Sequence, residues 1–299
     1  MAQVVGLIAC RGLHAPRGPR RRRMAAAIAH RGIVATTAAV AAQRGFASST
    51  GRFRPAPRLI VVGAAAGLAG TTVCAGVAWR QGQHQPTEAE RLSIFDSLAA
   101  ASLQGRLTFS PGPTAAWRRE VLRQAYGDVL EIAVGFGGNF RYYSRLGVNS
   151  VTVADLSEGM LEVARQSAKD LGPIPLRVAL ADAEALDDFE DASFDTVVDT
   201  FGLCSFEHPS RALEEMARVC RPDGRVLLVE HGLSEWAPVR ALQAFTSEAW
   251  ARHYGCRHDF DMIRLVEGSG RLEILESKRR FLGLSVTLVC RPVVAAREL

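Results

Sequence analysis

No aspartate or glutamate occurs in the first 87 residues of this 299-residue chain, which carry 12 arginines and no lysine. All 31 acids lie in residues 88–299, against 24 basic residues, so that segment has a formal charge of −7 although the whole chain stands at +5. The basic excess belongs to the N-terminal tail. This argues against a folded domain that holds nucleic acid by a broad basic surface, and nucleic acid is the less expected partner. No CxxC pair occurs among the six cysteines, Cys10, Cys74, Cys204, Cys220, Cys256 and Cys290. Their spacings suit neither a zinc ribbon nor a disulfide-rich scaffold. No repeat recurs at solenoid periods. Hydrophobic residues make up 48%, which excludes whole-chain disorder and leaves the acidic segment long enough to bury a sizeable core.

The acid-free tail reads as an address followed by an anchor. Residues 1–46 have the Arg- and Ala-rich composition of a mitochondrial transit peptide, with Arg20–Arg23 in one run. Residues 47–58 form a basic linker. Leu59 to Trp79 is uncharged over 21 residues and bracketed by Arg58 and Arg80, a length that suits one membrane-spanning helix. Residues 80–112 are expected to hold a linker and an N-terminal helix, residues 113–292 the main domain, and residues 293–299 a tail.

In the acidic segment, Thr87-x-x-Glu90 is a capping-box pattern for a helix running to about Leu103. Trp117, Val121, Leu122 and Ala125 stand at helical spacing in a second helix, Thr114 to Ala125. Apolar strands at Val129–Val134, Val151–Ala154, Leu176–Leu180, Thr196–Val198 and Val226–Val229 then alternate with helical segments. Those segments lie near Phe140–Leu146, Glu158–Asp170 and Ser210–Cys220. This order predicts an α/β fold with a parallel sheet and helices on both faces. Two helical stretches, Trp236–His253 and Phe260–Glu267, precede a final antiparallel hairpin, Leu272–Ser277 and Leu284–Cys290, at the sheet edge.

The first strand ends in Gly135-Phe136-Gly137-Gly138-Asn139. A Gly-rich turn at a strand's carboxyl end lets backbone approach a ligand closely. Asp155 ends the second strand 20 residues after Gly135, the place where an acid bonds a ribose diol. Nicotinamide proteins share this arrangement, but Glu131 near the turn suits an ammonium group better than a pyrophosphate. Asp182 follows the third strand, and Glu230-His231-Gly232 ends the fifth.

The ordered set LEIAVGFGGNF, VTVADLSEGML, ALADAEAL and FDTVVDTFGLCSFEHPSRALEEMARVCRPDGRVLLVEHG resembles class I S-adenosylmethionine (SAM)-dependent methyltransferases of the UbiE and methyltransferase-like (methyltransferase type 11) kind, over roughly residues 86–292. The C-terminal stretch from Gly255 resembles their membrane-anchored branch, which includes a fungal mitochondrial inner-membrane protein and animal S-methyltransferases anchored in the endoplasmic reticulum; the anchor and transit peptide favour the mitochondrial one. The resemblance implies a Rossmann-like seven-stranded sheet whose last strand is antiparallel, preceded here by a single transmembrane helix. It implies S-adenosylmethionine as cofactor. Glu131 would face the methionine ammonium. Ala133, Gly135 and Gly137 would allow close backbone approach. Asp155 would take the ribose hydroxyls, Leu156 would pack on the adenine, Asp182 and Ala183 would meet the adenine edge, and Thr200 would lie near the methionine moiety. Three positions depart from the family pattern: Ala133 replaces its first glycine, Phe136 its small hydroxyl residue, and Ser102 a tyrosine that closes over the cofactor.

Methyl transfer from a sulfonium needs alignment more than acid–base help. His231, at a strand's carboxyl end, is the candidate catalytic base, with capping or burial as the blander role. Cys204 reads as a pocket or core residue, and Asp199 as a cofactor neighbour or a strand-end cap. Tyr142 and Tyr143 read as helix packing or a cover over the cofactor. Cys256 and His258 lack further ligands in the sequence, so no metal is expected. The resulting expectation is a methyltransferase anchored by a single pass in the mitochondrial inner membrane and acting on a small hydrophobic or membrane-associated acceptor. The rivals are a non-catalytic scaffold, with protein partners in respiratory or ribosomal assembly, and an RNA or protein methyltransferase.

Overall fold

The computed structural model describes residues 86–107, 109 and 112–293. The expected transit peptide, basic linker and spanning segment lie outside those residues. Among the described residues no helix is long and apolar enough to cross a membrane.

The chain enters through α1 (Glu88–Leu103), and its start is fixed by the expected capping box. Thr87 N–H donates to Glu90 at 2.8 Å, and Glu90 N–H donates back to Thr87 Oγ1 at 3.3 Å. Two otherwise orphaned helix donors are thereby satisfied. Helix α2 (Thr114–Leu122) leads into β1 (Gly127–Ile132), β2 (Val148–Asp155), α3 (Glu158–Ser167), β3 (Leu176–Leu180) and β4 (Phe194–Thr200). Then come α4 (Pro209–Val219), β5 (Cys220–His231), α5 (Ala237–Tyr254), α6 (Met262–Ser269), β6 (Leu272–Arg280) and β7 (Ser285–Pro292).

The seven strands form one sheet in the order β3-β2-β1-β4-β5-β7-β6. Strands β1 to β5 pair in parallel, and β7 runs antiparallel to both β5 and β6. The sheet has an apolar layer on each face. One layer gathers Leu130, Ile132, Val197, Leu228 and Leu288 with α4 and α6. The other gathers Val129, Val151, Val153, Val198 and Val289 with α2 and α3. Burial on both faces explains why the central strands read as continuous apolar runs. Chain order reverses between β1 and β4, so their carboxyl ends splay around a crevice.

One expected helix does not form. Phe140–Leu146 makes only a 3₁₀ turn, Phe140–Tyr142. Tyr143 turns to extended backbone (φ −66°, ψ 136°), which lets its hydroxyl reach Glu131 Oε2 at 2.6 Å. A buried carboxylate thus outcompetes two turns of helix for this segment.

Candidate active site

A cleft of about 280 Å³ lies at the carboxyl ends of β1, β2 and β4, roofed by α1. Ala133, Gly135, Asp155, Leu156, Asp182, Ala183, Thr200 and His231 all line it. The turn after β1 supplies its floor. A Cβ at Gly135 would meet nothing nearer than 3.9 Å, so this backbone faces open space. Gly137 serves packing instead: a Cβ there would lie 2.7 Å from Phe140.

Asp155 ties the floor to β2. Its Oδ2 accepts from Gly135 N–H at 2.9 Å and its Oδ1 from Ser157 N–H at 3.0 Å. Burial raises its pKa, against those backbone donors. Leu156, partly exposed beside it, offers an apolar surface. Asp182 Oδ1 accepts from Glu184 N–H at 2.8 Å, which holds the turn after β3 in place.

Glu131 is not on the cleft wall. It is buried, with Tyr143 O–H on Oε2 and Asn139 Nδ2 on Oε1 at 2.9 Å. Burial pushes its pKa up to about 7. The groups facing the cleft in this region are Thr200 and Arg118, the latter missed from the sequence. Arg118 is buried on α2, and its Nη1 donates to Thr200 Oγ1 and to Asn139 Oδ1, both at 2.7 Å. Its guanidinium also lies over Phe201, 5.2 Å from the ring centre. Burial lowers its pKa, with Glu131 opposing, but arginine stays charged in proteins. The sequence held one signal for it: Arg118 sits four residues after Thr114 on the helix face that also carries Val121 and Leu122.

The outer wall is aromatic. Phe136 stacks on Phe109 with ring centres 5.2 Å apart and planes 5° from parallel. The bulky replacement in the Gly-rich turn therefore lines the cleft without filling it.

Ala133 holds a left-handed φ of 47°. That conformation costs an L-residue about 1–2 kcal/mol, whereas glycine adopts it freely but adds about 0.4–1 kcal/mol of unfolded-chain entropy. Ala133→Gly is therefore expected to raise the melting temperature by about 2 °C. A fall of several degrees would show that the methyl group packs productively against the turn at Gly202.

At the far end of the cleft stands His231, buried, with its ring 4.9 Å from Phe201. Its Nδ1 lies 3.4 Å from Cys204 Sγ. Cys256 completes a group in which one donor atom from each residue lies within 4.8 Å of the others. Burial pushes the Cys204 thiol up. The Cys256 thiol is pulled well down by the Cys204 thiol that bonds it, with His231 adding to the effect. These residues lie 25 or more positions apart, so no spacing in the sequence joins them.

Behind the cleft, Asp199 and Glu230 end adjacent strands, both fully buried. Asp199 Oδ2 accepts from Leu203 N–H and Glu230 Oε1 from Gly202 N–H, each at 2.9 Å. Asp199 is thus a cap on the loop after β4 rather than a group on the cleft wall.

Residues 130–228 match the family described as a methyltransferase domain. Methyltransferase OMS1, mitochondrial, of Saccharomyces cerevisiae is 31% identical over 217 residues, which is 68% of this chain and 45% of the yeast protein. The chain thus spans less than half the length of that relative. Phosphatidylethanolamine N-methyltransferase of Cereibacter sphaeroides is 36% identical over 151 residues, 50% of this chain and 72% of that protein. The [4+2]-cyclase SpnF shares the fold with a TM-score of 0.53 at 15% identity, over 71% of this chain and 99% of the cyclase. Sheet order, crevice and sequence matches together define a Rossmann-like methyltransferase fold. The chain belongs to the class I SAM-dependent methyltransferases, within their UbiE-like family.

Proposed function

We propose that the chain binds S-adenosylmethionine in this cleft and methylates a small hydrophobic or membrane-associated acceptor at the mitochondrial inner membrane. The carrying observation is the division of the cleft into a polar floor and an aromatic wall. The residues fit the cofactor. Gly135 leaves its backbone open, Asp155 keeps a lone pair on each oxygen for the ribose hydroxyls, and Leu156 and Asp182 bound the adenine space. Arg118 would hold the methionine carboxylate, with Thr200 beside it. When bound, the cofactor supplies an electrophilic methyl group on a good leaving group. The protein's task is then to position the acceptor and keep water out. Phe109, Phe136 and Phe201 form an apolar wall, and aromatic faces also attract a sulfonium cation. His231 is placed to accept a proton from an oxygen or nitrogen acceptor.

The membrane placement rests on residues 59–79 and on likeness to the yeast mitochondrial protein. Likeness to a phosphatidylethanolamine methyltransferase and the aromatic cleft support a lipid-like acceptor. Sharing the fold with a cyclase shows that the fold alone does not set the chemistry. Methyl-labelled SAM, incubated with the full chain and a mitochondrial extract, should place label in the organic-solvent phase. Label confined to protein or RNA would instead support a macromolecular substrate. A folded, SAM-binding chain that labels no fraction would support the scaffold reading, with respiratory or ribosomal assembly partners.

A further inference from the structure

We propose that Cys204, His231 and Cys256 form a divalent zinc site whose fourth coordination position opens on the cleft.

The geometry carries this. Tetrahedral zinc holds sulfur at about 2.3 Å and nitrogen at about 2.0–2.1 Å, which separates donor atoms by roughly 3.5–3.8 Å. Cys204 Sγ and His231 Nδ1 lie 3.4 Å apart, and one donor atom from each of the three residues falls within 4.8 Å of the others. Small side-chain adjustments bring the set to coordination distance. Two thiols and an imidazole are soft donors with no carboxylate among them, a set that selects zinc over magnesium or calcium.

The three donors arrive on separate segments that are locked together. Cys204 lies in the 3₁₀ turn after β4, His231 ends β5, and Cys256 follows α5. Arg257 N–H donates to the Cys204 carbonyl at 2.8 Å. Gln243 Nε2 donates to the Gly232 carbonyl at 2.8 Å and to the His258 carbonyl at 2.6 Å. Each donor is therefore held by backbone beside it, as a preorganised site requires. Cys204 lies behind the cleft wall, whereas His231 and Cys256 line the cleft. Three protein ligands with one open position is the arrangement of catalytic rather than structural zinc. Zinc on Nδ1 would leave the ring proton on Nε2, so in the metal-bound protein His231 would not serve as the base; the ion would instead polarise an acceptor atom bound through its lone pair and lower its pKa. That use rests on the proposed methyl transfer; metal binding itself does not.

The test uses the full chain without SAM. After reduction and chelator treatment it is titrated with zinc alone against a competing chromophoric chelator, and separately with cobalt(II). The expected result is one zinc per chain and a sulfur-to-cobalt charge-transfer band. Cys204→Ser and Cys256→Ser should each weaken zinc by more than the ten- to about hundredfold loss typical of an outer-shell change, and abolish the band. His253→Ala, on the exposed side of α5, should leave both unchanged. If either cysteine variant fails to fold, the wild type still decides: one equivalent of zinc should protect Cys256 from alkylation. The proposal is overturned if the reduced chain takes up no stoichiometric zinc, or if folded variants bind it as well as wild type. It is equally overturned if zinc leaves Cys256 alkylation unaltered.

Discussion

Asp155→Ala is expected to weaken SAM binding by roughly 30-fold. Both carboxylate oxygens of Asp155 are oriented by backbone, one by Gly135 N–H at 2.9 Å and one by Ser157 N–H at 3.0 Å. Each oxygen keeps capacity for one more donor on its cleft side. Hydrogen bonds to a charged group contribute about 1.5–3 kcal/mol each. Water entering the truncated site offsets part of that, leaving a net loss of about 2 kcal/mol, or roughly 30-fold. The same change releases Gly135 N–H and loosens the floor, so melting temperature should fall by a few degrees. Calorimetric titration of SAM into the full chain reads the affinity. An unchanged Kd would remove the ribose role from Asp155. Failure of the folded wild type to bind would mean that the Phe136–Phe109 stack closes the cleft, and would favour the scaffold reading.

The sheet was legible in the sequence because its strands are short and apolar on both faces. Strand β3 falls at Leu176–Leu180 as its pattern predicts, and the capping box fixed the start of α1 to the residue. Cleft residues that end strands, Asp155, Thr200 and His231, were legible for the same reason: strand ends define the crevice. What the sequence did not show were features set by distant partners. Phe140–Leu146 has helical composition, but Tyr143 is held by Glu131, twelve residues back. Glu131 itself reads as a ligand group, yet it is taken up by Asn139 and Tyr143, and Arg118 stands at the wall instead. The group of Cys204, His231 and Cys256 depends on how β4, β5 and the loop after α5 converge, which no local pattern encodes.

The second large effect expected is on stability against pH, and it centres on Asp199 and Glu230. Each carboxyl uses one oxygen to accept from a backbone N–H of the loop after β4. The oxygens left over, Asp199 Oδ1 and Glu230 Oε2, are buried and find no N–H or O–H donor among the described residues, the Cys204 thiol being the remaining neighbour of Glu230. A single proton shared between the carboxyls satisfies both. Burial raises both pKa values, Asp199 to about 6 and Glu230 well above its ordinary range, and the neighbouring Asp199 charge pushes Glu230 further. Glu131, raised to about 7 by burial, acts in the same direction. Groups raised above their unfolded values bind more protons in the folded state, so their contribution is complete below about pH 4 and is lost as pH rises through the folded values. Each proton changes stability by about 1.4 kcal/mol per pH unit inside its window. His258, whose pKa burial lowers, opposes this below its ordinary value of 6.5, and the Cys256 thiol, held well below its ordinary value of 9.0, opposes it up to that value. Glu230 and Glu131 together outweigh the one thiol, so stability should still fall between about pH 6.5 and pH 8, measured by denaturant unfolding at each pH. Glu230→Gln places a permanent donor where the proton sits: its amide N–H₂ faces Asp199 Oδ1 while its carbonyl keeps the Gly202 N–H. This variant should be more stable than wild type by about 1–3 kcal/mol at pH 8 and lose one proton's worth of slope. Combining it with Asp199→Asn sets two amide groups against each other and should reverse the gain. A Glu230→Gln variant with the wild-type slope would show that the carboxyl pair does not hold a proton.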